Sequence, residues 1–195
     1  IYAEQFTLFI LVLQILALWA YRTDRPWLLA LCCALILTKP NQGLFFVLAL
    51  VLLSRHWRQF LAVGAAVWGG SLLLDPHWVG QWLAMLSHHH EMTQQPLLWG
   101  LAFFAIPLFL IRDYISAAVM LQFLVMPYPF AAYPFSPVPL GILGEARQRW
   151  LIPISFIWML IHFTIGEVWA SLLTLVLPVV ALSLWRYWRE RRVAD

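Results

Sequence analysis

The sequence predicts an all-α membrane protein, a polytopic bundle of about eight to nine transmembrane helices with one further helix lying in the membrane interface. The first observation is composition: 63% of the 195 residues are hydrophobic and 11% are charged, and the mean hydropathy is +0.81. Soluble domains carry roughly 45–50% apolar and about 25% charged residues, so a water-facing surface would need more polar side chains. The second is that apolar runs recur along the chain without the alternation of barrel strands. The third is the placement of arginine.

The nine apolar runs are the candidate membrane helices, at 5–21, 27–38, 43–53, 60–74, 97–111, 114–127, 131–143, 150–165 and 168–185. Several runs are shorter than the ~20 residues that span a ~30 Å core, so we expect their polar ends to dip into the membrane. Proline makes the run 131–143 irregular, but omitting it would move the arginine-rich C-terminus to the other side. The chain starts abruptly at Ile1, and we expect a single domain, 1–195, that lacks N-terminal helices and a first outer loop.

Arginine sets the predicted topology. Twelve residues are basic, and one of them is Lys39, so eleven are arginines. With the N-terminus outside, every arginine falls on the inner side, as the positive-inside bias requires. We therefore expect a plasma-membrane (inner-membrane) protein with a cytoplasmic C-terminus and an active face on the extracytoplasmic side. The pI of about 9.1 then reflects topology, and no nucleic-acid partner is predicted.

The segment "TKPN" is predicted to be a turn between two antiparallel helices. A single kinked helix over 27–53 would place Arg25 and Arg55 on opposite sides of the membrane. Pro40 disfavours a helical conformation at the residue before it, and Asn41 and Gly43 are turn formers. The first of the two helices, about 13 residues or ~20 Å long, is too short to cross the bilayer. Lys39 should therefore lie below the outer surface.

Lys39 is the candidate ligand for a lipid-linked phosphate. It is the sole basic residue predicted on the outer side, and Asn41 and Gln42 bring amide groups to the same turn. A compact cation with neutral donors in a recess suits a phosphate. The alternative is a helix-end lysine whose ammonium snorkels to water. Glu4 and Gln5 begin the first run on the same side, as further binding residues or as ordinary interfacial polarity.

The loop 75–96 is predicted to begin with an interfacial helix at 76–87. Asp75 precedes Pro76 as a helix cap precedes an N1 proline, and an apolar face follows at helical spacing, formed by Trp78, Val79, Trp82, Leu83 and Leu86. No metal site is predicted in the loop, because consecutive histidines on a helix diverge by about 100°. The candidate contacts to an acceptor are Asp75, His77, His88 and His89.

The first half of the chain resembles the polyprenyl-phosphate-sugar-dependent glycosyltransferases of family 87. The resemblance rests on the order of four features: Gln5 opening a helix, the short basic loop 22–25, a helix ending at "KPNQ", and the closing loop "RHWR". It implies the C-type membrane glycosyltransferase fold and transfer of a hexose, such as mannose, from a polyprenyl phosphate to an extracytoplasmic acceptor. The family's catalytic carboxylate is expected upstream of Ile1, so no catalytic residue is assigned in this chain.

Two other function classes stay open. A polytopic transporter or flippase would carry ionisable residues or broken helices near the membrane midplane. A structural subunit of an envelope-assembly complex would need neither. The transferase requires the lipid bilayer and a lipid-linked sugar donor; no cofactor is predicted, and a divalent metal ion is left open, as is the oligomeric state.

Overall fold

The computed structural model describes residues 2–81, 83–84, 100–124, 138–143 and 148–194. Within these residues the chain is helical between short turns and contains no β-strand. The predicted all-α class is confirmed for this part of the chain.

The first four helices match the first four apolar runs to within a few residues. They are α1 (Tyr2–Arg22), α2 (Pro26–Ile36), α3 (Pro40–Leu53) and α4 (Trp57–Leu74). Proline is the first residue of α2 and of α3, where its fixed φ suits a helix start and its missing N–H costs no hydrogen bond. Pro26 and Pro40 therefore mark where these two helices begin.

The second half is built of shorter pieces. They are α5 (Ala105–Leu110) after a 3₁₀ turn (Leu101–Phe104), α6 (Tyr114–Leu121) running into a 3₁₀ turn (Gln122–Leu124), α7 (Val138–Leu143), α8 (Leu151–Ile165), α9 (Glu167–Ser171) and α10 (Leu177–Ala194). A π-helical segment, Leu172–Val176, joins α9 to α10. Pro178 lies two residues after it. A proline leaves the carbonyl four residues earlier without its usual donor, which is a known cause of such a widened turn.

Helices α2 and α3 form the predicted hairpin, since α2 ends at Ile36 and α3 begins at Pro40. The prediction that Asn41 and Gly43 lie in the turn is wrong, because both belong to the first turn of α3. Gly43 is there because the helices touch: a Cβ at this position would overlap the side chain of Ile36. The turn itself is residues 37–39, and we call it the lysine turn.

Three arginine-bearing turns, those before α2, α4 and α6, meet the arginine-bearing part of α10 at one end of the molecule. His56 Nε2 lies 2.8 Å from Asp24 Oδ1, which joins the α1–α2 turn to the α3–α4 turn. Leu53 and Tyr114 line one cavity, so the start of α6 lies beside the end of α3. Arg186 Nη2 donates to Asp113 Oδ2 at 3.0 Å, which brings α10 to the same place. We call this group of turns the arginine end; whether it faces the cytoplasm stays a prediction.

One helical stretch of the described chain, Val168–Val193, has the length and hydropathy of a membrane span, with 26 residues. Four further apolar stretches are shorter: Leu8–Arg22, Pro26–Ile36, Gln42–Leu53 and Leu101–Leu110. The number of predicted crossings is therefore not confirmed. Of the weakest predicted run, 138–143 is helical, and the rest lies outside the described residues.

Large apolar side chains occupy both the interior and the surface. Leu18, Ile36, Leu50, Met120 and Leu175 are fully buried between the helices. Others stand almost fully exposed on the outside of the assembly, including Leu52, Leu73, Leu74, Leu110, Leu160 and Phe163. Large apolar side chains therefore occur on the described surface as well as in the core.

Candidate functional site

The lysine turn is closed by its own backbone. The Lys39 N–H donates to the Ile36 carbonyl at 3.0 Å, and the Lys39 carbonyl accepts from the Gln42 N–H at 2.9 Å. The Thr38 hydroxyl donates to the Leu35 carbonyl at 2.7 Å, so it caps the end of α2. Lys39 is half-buried, and burial lowers the pKa of its ammonium below the ordinary value. An anion beside Lys39 would offset that desolvation.

Two buried glutamines hold the start of α3 against its neighbours. Gln14, on α1, donates from Nε2 to the Gln42 carbonyl at 2.9 Å. Gln122, after α6, accepts from the Phe45 N–H at 3.1 Å and donates to the Pro40 carbonyl at 3.3 Å. Gln14 and Gln122 are 6% and 2% exposed, so both amides make their hydrogen bonds inside the protein. The lysine turn is therefore positioned from two sides.

These contacts fix how deep the lysine turn lies. Helix α3 has 14 residues, which places the turn about 21 Å from the arginine end at 1.5 Å per residue. Helix α1 has 21 residues, and twelve of them, 2–13, precede Gln14, so α1 continues about 18 Å beyond the contact with Gln42. Helix α1 therefore extends past the turn, which is recessed relative to the end of α1.

A cavity of about 640 Å³ lies beside the lysine turn, and we call it the Trp78 cavity. Thr38 and Pro40 form one wall. The other wall comes from the end of α4 and the residues after it: Trp68, Ser71, Leu74, Asp75, Trp78 and Val79. The Trp68 and Trp78 rings stack at a tilt, 5.5 Å apart between centroids. The lining is mainly apolar, with one carboxylate.

The polar groups of this lining are few, and most of them already make hydrogen bonds within the protein. The Ser71 hydroxyl donates to the Trp68 carbonyl at 2.7 Å, and Asp75 Oδ1 accepts from the His77 N–H at 3.0 Å. The Trp78 indole Nε1 is buried and has no acceptor among the described residues. Such a cavity suits a largely apolar ligand with few hydrogen-bonding groups.

The predicted donor-binding residues are only partly brought together. Lys39 belongs to the turn whose neighbours line the Trp78 cavity, but Lys39 itself is not among the lining residues. Gln42 is 7% exposed, its backbone carbonyl accepts from Gln14 on α1, and it is not among the lining residues. Asn41 lies in the first turn of α3, and the description does not extend to its side chain. Their role at a phosphate stays a prediction.

The remaining predicted residues lie at the ends of their helices or outside the description. Glu4 and Gln5 are in the first turns of α1, about 14 Å or more along the helix from Gln14, and their side chains are not described. Asp75 lines the Trp78 cavity, whereas the exposed His77 does not. His88 and His89 lie outside the described residues. Within the described chain, no three metal-binding side chains come together.

The predicted interfacial helix is partly described. Residues 78–81 and 83–84 are helical. The helix begins two residues later than predicted, because Asp75 accepts the His77 N–H and holds Pro76 and His77 in a turn. Asp75 is therefore not the residue directly before the helix, as predicted, but its carboxylate closes the turn that leads into it. Trp78 and Val79 are half-buried on the predicted apolar face, but Leu83 is 55% exposed; Trp82 and Leu86 lie outside the description.

Gln14 and Gln122 are the structural residues that sequence reasoning missed. Each stands inside an apolar run, where a polar side chain is costly unless it finds a partner in the protein. A single polar residue inside an apolar run is therefore the feature of the sequence that could have identified both. The prediction considered only the ends of the runs, where charge collects.

No protein-family model matches this chain, and neither a curated protein nor a solved structure is detectably similar to it.

Proposed function

We propose that this protein is an integral membrane hexosyltransferase that uses a polyprenyl-phosphate sugar and resembles family 87 of the C-type membrane glycosyltransferases. The observation that carries the proposal is the half-buried Lys39 in a recessed turn beside a large apolar cavity. A lipid-linked donor has the matching two parts, a phosphate and an isoprenoid chain.

Embedding in a membrane is the first step of this proposal. Leu74, Leu73 and Phe163 are 90%, 87% and 86% exposed, and such exposure is general over the described surface. Soluble monomers rarely present contiguous apolar patches of more than a few hundred Å². A lipid environment removes the cost of exposing these apolar side chains to water. It also accounts for the gathering of arginines at one end. We accordingly propose a polytopic arrangement with the arginine end in the cytoplasm.

The chemistry proposed for Lys39 is stabilisation of the leaving group. An acceptor hydroxyl attacks the anomeric carbon of the sugar, the bond from that carbon to the phosphate oxygen breaks, and the polyprenyl phosphate leaves with additional negative charge. An ammonium beside that oxygen neutralises the charge as it develops. The base that takes the hydroxyl proton is not assigned to any residue of this chain.

The test is donor binding and sugar transfer by Lys39 variants in membranes. Lys39→Met keeps the length of the side chain and removes the charge. Hydrogen bonds to charged groups contribute about 1.5–3 kcal/mol, so we expect donor binding or turnover to fall roughly 10–150-fold. Lys39→Arg should be milder, because charge survives although the guanidinium needs more room. Arg58→Gln, a charge removal at the arginine end, is the control and should behave like the parent.

Thermal unfolding of each variant separates a lost contact from a lost fold. If folded Lys39→Met binds the donor and transfers sugar as well as the parent, the lysine merely snorkels to water and the proposed donor site is wrong.

A transporter is the second candidate, and the depth of the lysine turn is the observation that favours it. A cation about 21 Å from the arginine end stands well inside a ~30 Å hydrocarbon core, where ionisable residues often mark a substrate path. Substrate uptake into sealed vesicles without chemical change, abolished in Lys39→Met, would support transport over transfer.

A further inference from the structure

A second cavity lies at the arginine end, on the opposite side of the hairpin from the lysine turn. It has a volume of about 490 Å³ and is formed where the α1–α2 turn meets the α3–α4 turn; we call it the Arg25 cavity. Its polar lining is Tyr21, Asp24, Arg25, Ser54, Arg55 and His56. Ala20, Pro26, Leu29 and Leu53 form its apolar side. Each turn therefore contributes one arginine to the lining.

The charges of this lining favour an anion. Arg25 and Arg55 contribute two positive charges, and Asp24 contributes one negative charge. Asp24 is already engaged, because its Oδ1 lies 2.8 Å from His56 Nε2. The Ser54 hydroxyl oxygen accepts from the His56 N–H at 3.1 Å and so orders the same turn. The two guanidinium groups are the lining groups whose geometry suits bidentate contact with a phosphate.

Two exposed tryptophans indicate where such a phosphate comes from. The order Arg-x-Trp occurs in both turns, as Arg25-Pro26-Trp27 and Arg55-His56-Trp57. Trp27 and Trp57 are 61% and 57% exposed. Each directly follows a lining residue, Pro26 or His56. Tryptophan is enriched at the level of lipid headgroups, which is the depth at which a phospholipid carries its phosphate.

We propose that the Arg25 cavity binds the phosphate headgroup of an anionic phospholipid, held between Arg25 and Arg55. This inference rests on the proposed membrane embedding and is independent of the sugar-transfer reaction. The apolar side of the cavity, Leu29 and Leu53, accommodates the start of the acyl chains. The bound lipid bridges the α1–α2 and α3–α4 turns and stabilises both.

The experiment measures thermal unfolding of the purified protein in neutral detergent during titration with phosphatidylglycerol, phosphatidylcholine or soluble glycerol phosphate. We expect saturable stabilisation by phosphatidylglycerol only. In Arg25→Gln/Arg55→Gln the apparent affinity should fall about 10-fold or more, as expected when charged hydrogen bonds are lost. The control, Arg191→Gln/Arg192→Gln, removes the same charge from the C-terminal tail and should keep the parent's affinity.

The conservative variant Arg25→Lys/Arg55→Lys keeps the charge and shows whether weaker binding in the glutamine variant comes from misfolding. We expect it to retain saturable binding. Equal weakening in the tail control would show diffuse surface attraction and overturn the site. Equal stabilisation by glycerol phosphate would overturn the lipid as ligand. Unchanged phosphatidylglycerol affinity in folded Arg25→Gln/Arg55→Gln would overturn the proposal outright.

Discussion

Gln122 shows how one side chain sets the position of the candidate site. Its amide both accepts and donates, and it uses both capacities on the backbone at the start of α3. A hydrocarbon side chain of the same length could fill the space but would leave α3 without these bonds. Gln14 makes the equivalent contact from α1. The two amides thus set the position of the start of α3, which follows Lys39 directly.

Replacing Gln122 with methionine tests this role. The change keeps the volume and removes two hydrogen bonds, each with a net contribution of about 0.5–1.5 kcal/mol, so we expect a loss of about 1–3 kcal/mol. Denaturant unfolding in detergent micelles is the measurement. Gln81→Met, at an exposed position, should change stability by less than about 0.5 kcal/mol. Equal stability of parent and Gln122→Met would show that the lysine turn is positioned by packing alone.

At the scale of elements, the α2–α3 hairpin depends on close approach of two helices. Gly43, in the first turn of α3, lies against Ile36, the last residue of α2. A methyl group at position 43 has no room there. Gly64, on α4, has no heavy atom within 4 Å of the place where its Cβ would stand. Substitution by alanine is therefore expected to have opposite effects on stability at these two glycines.

Gly43→Ala should destabilise the protein by about 1–3 kcal/mol through overpacking. Gly64→Ala, the matched control, should be neutral or stabilising by about 0.5–1 kcal/mol, because alanine is the better helix former. In Gly43→Ala/Ile36→Ala the space is restored, so the loss should be smaller than the sum of the single losses. Thermal unfolding of the four proteins measures this. Strict additivity would mean that the two positions do not touch.

At the scale of the whole molecule, the Asp113–Arg186 pair joins the middle of the chain to its C-terminal helix. Asp113 also caps α6, since its Oδ1 accepts from the Ser116 N–H at 3.3 Å. The Asp113 side chain is nearly buried, whereas Arg186 is partly exposed and also lies 3.8 Å from Glu190. The carboxylate therefore serves two partners and the guanidinium has an alternative.

Asp113→Ala should consequently be more damaging than Arg186→Gln. The first change removes a cap, about 1 kcal/mol, and leaves a partly buried guanidinium without its closest partner, so we expect a loss of about 2–3 kcal/mol. For Arg186→Gln we expect about 1–2 kcal/mol. Glu190→Gln, at an exposed i, i+4 pair, should cost less than about 0.5 kcal/mol. Chemical denaturation provides the values, and the reverse order of the first two variants would contradict this account.

The grouping of turns at the arginine end leads to a topology prediction. Single cysteines at Thr23, Arg58 and Glu190, all exposed, should react with a membrane-impermeant reagent from the same side of the membrane. A cysteine at His77, beyond the far end of α4, should react from the opposite side. The background for these variants is Cys32→Ala/Cys33→Ala, which removes the buried native thiols. Labelling of Thr23→Cys and Glu190→Cys from different sides would refute the proposed embedding.

The sequence by itself determined the helical class, most helix limits and the hairpin at Lys39. These are local properties, because an apolar run bounded by arginine or proline has few conformations open to it. The meeting of the arginine-bearing turns before α2, α4 and α6 with α10 also agrees with the sequence, because the charge of each turn can be assigned from the sequence alone. The sequence did not show which hydrogen bonds the polar side chains inside the runs make.

Only the tertiary structure decided what lies beside the lysine turn. The buried amides of Gln14 and Gln122, the overlap that requires Gly43, and the walls of the Trp78 and Arg25 cavities join residues far apart in the chain. Asn41 illustrates the limit: its turn propensity was real, but Pro40 started the helix one residue earlier. Such outcomes depend on which helix faces which, and packing sets that relation where local propensity cannot.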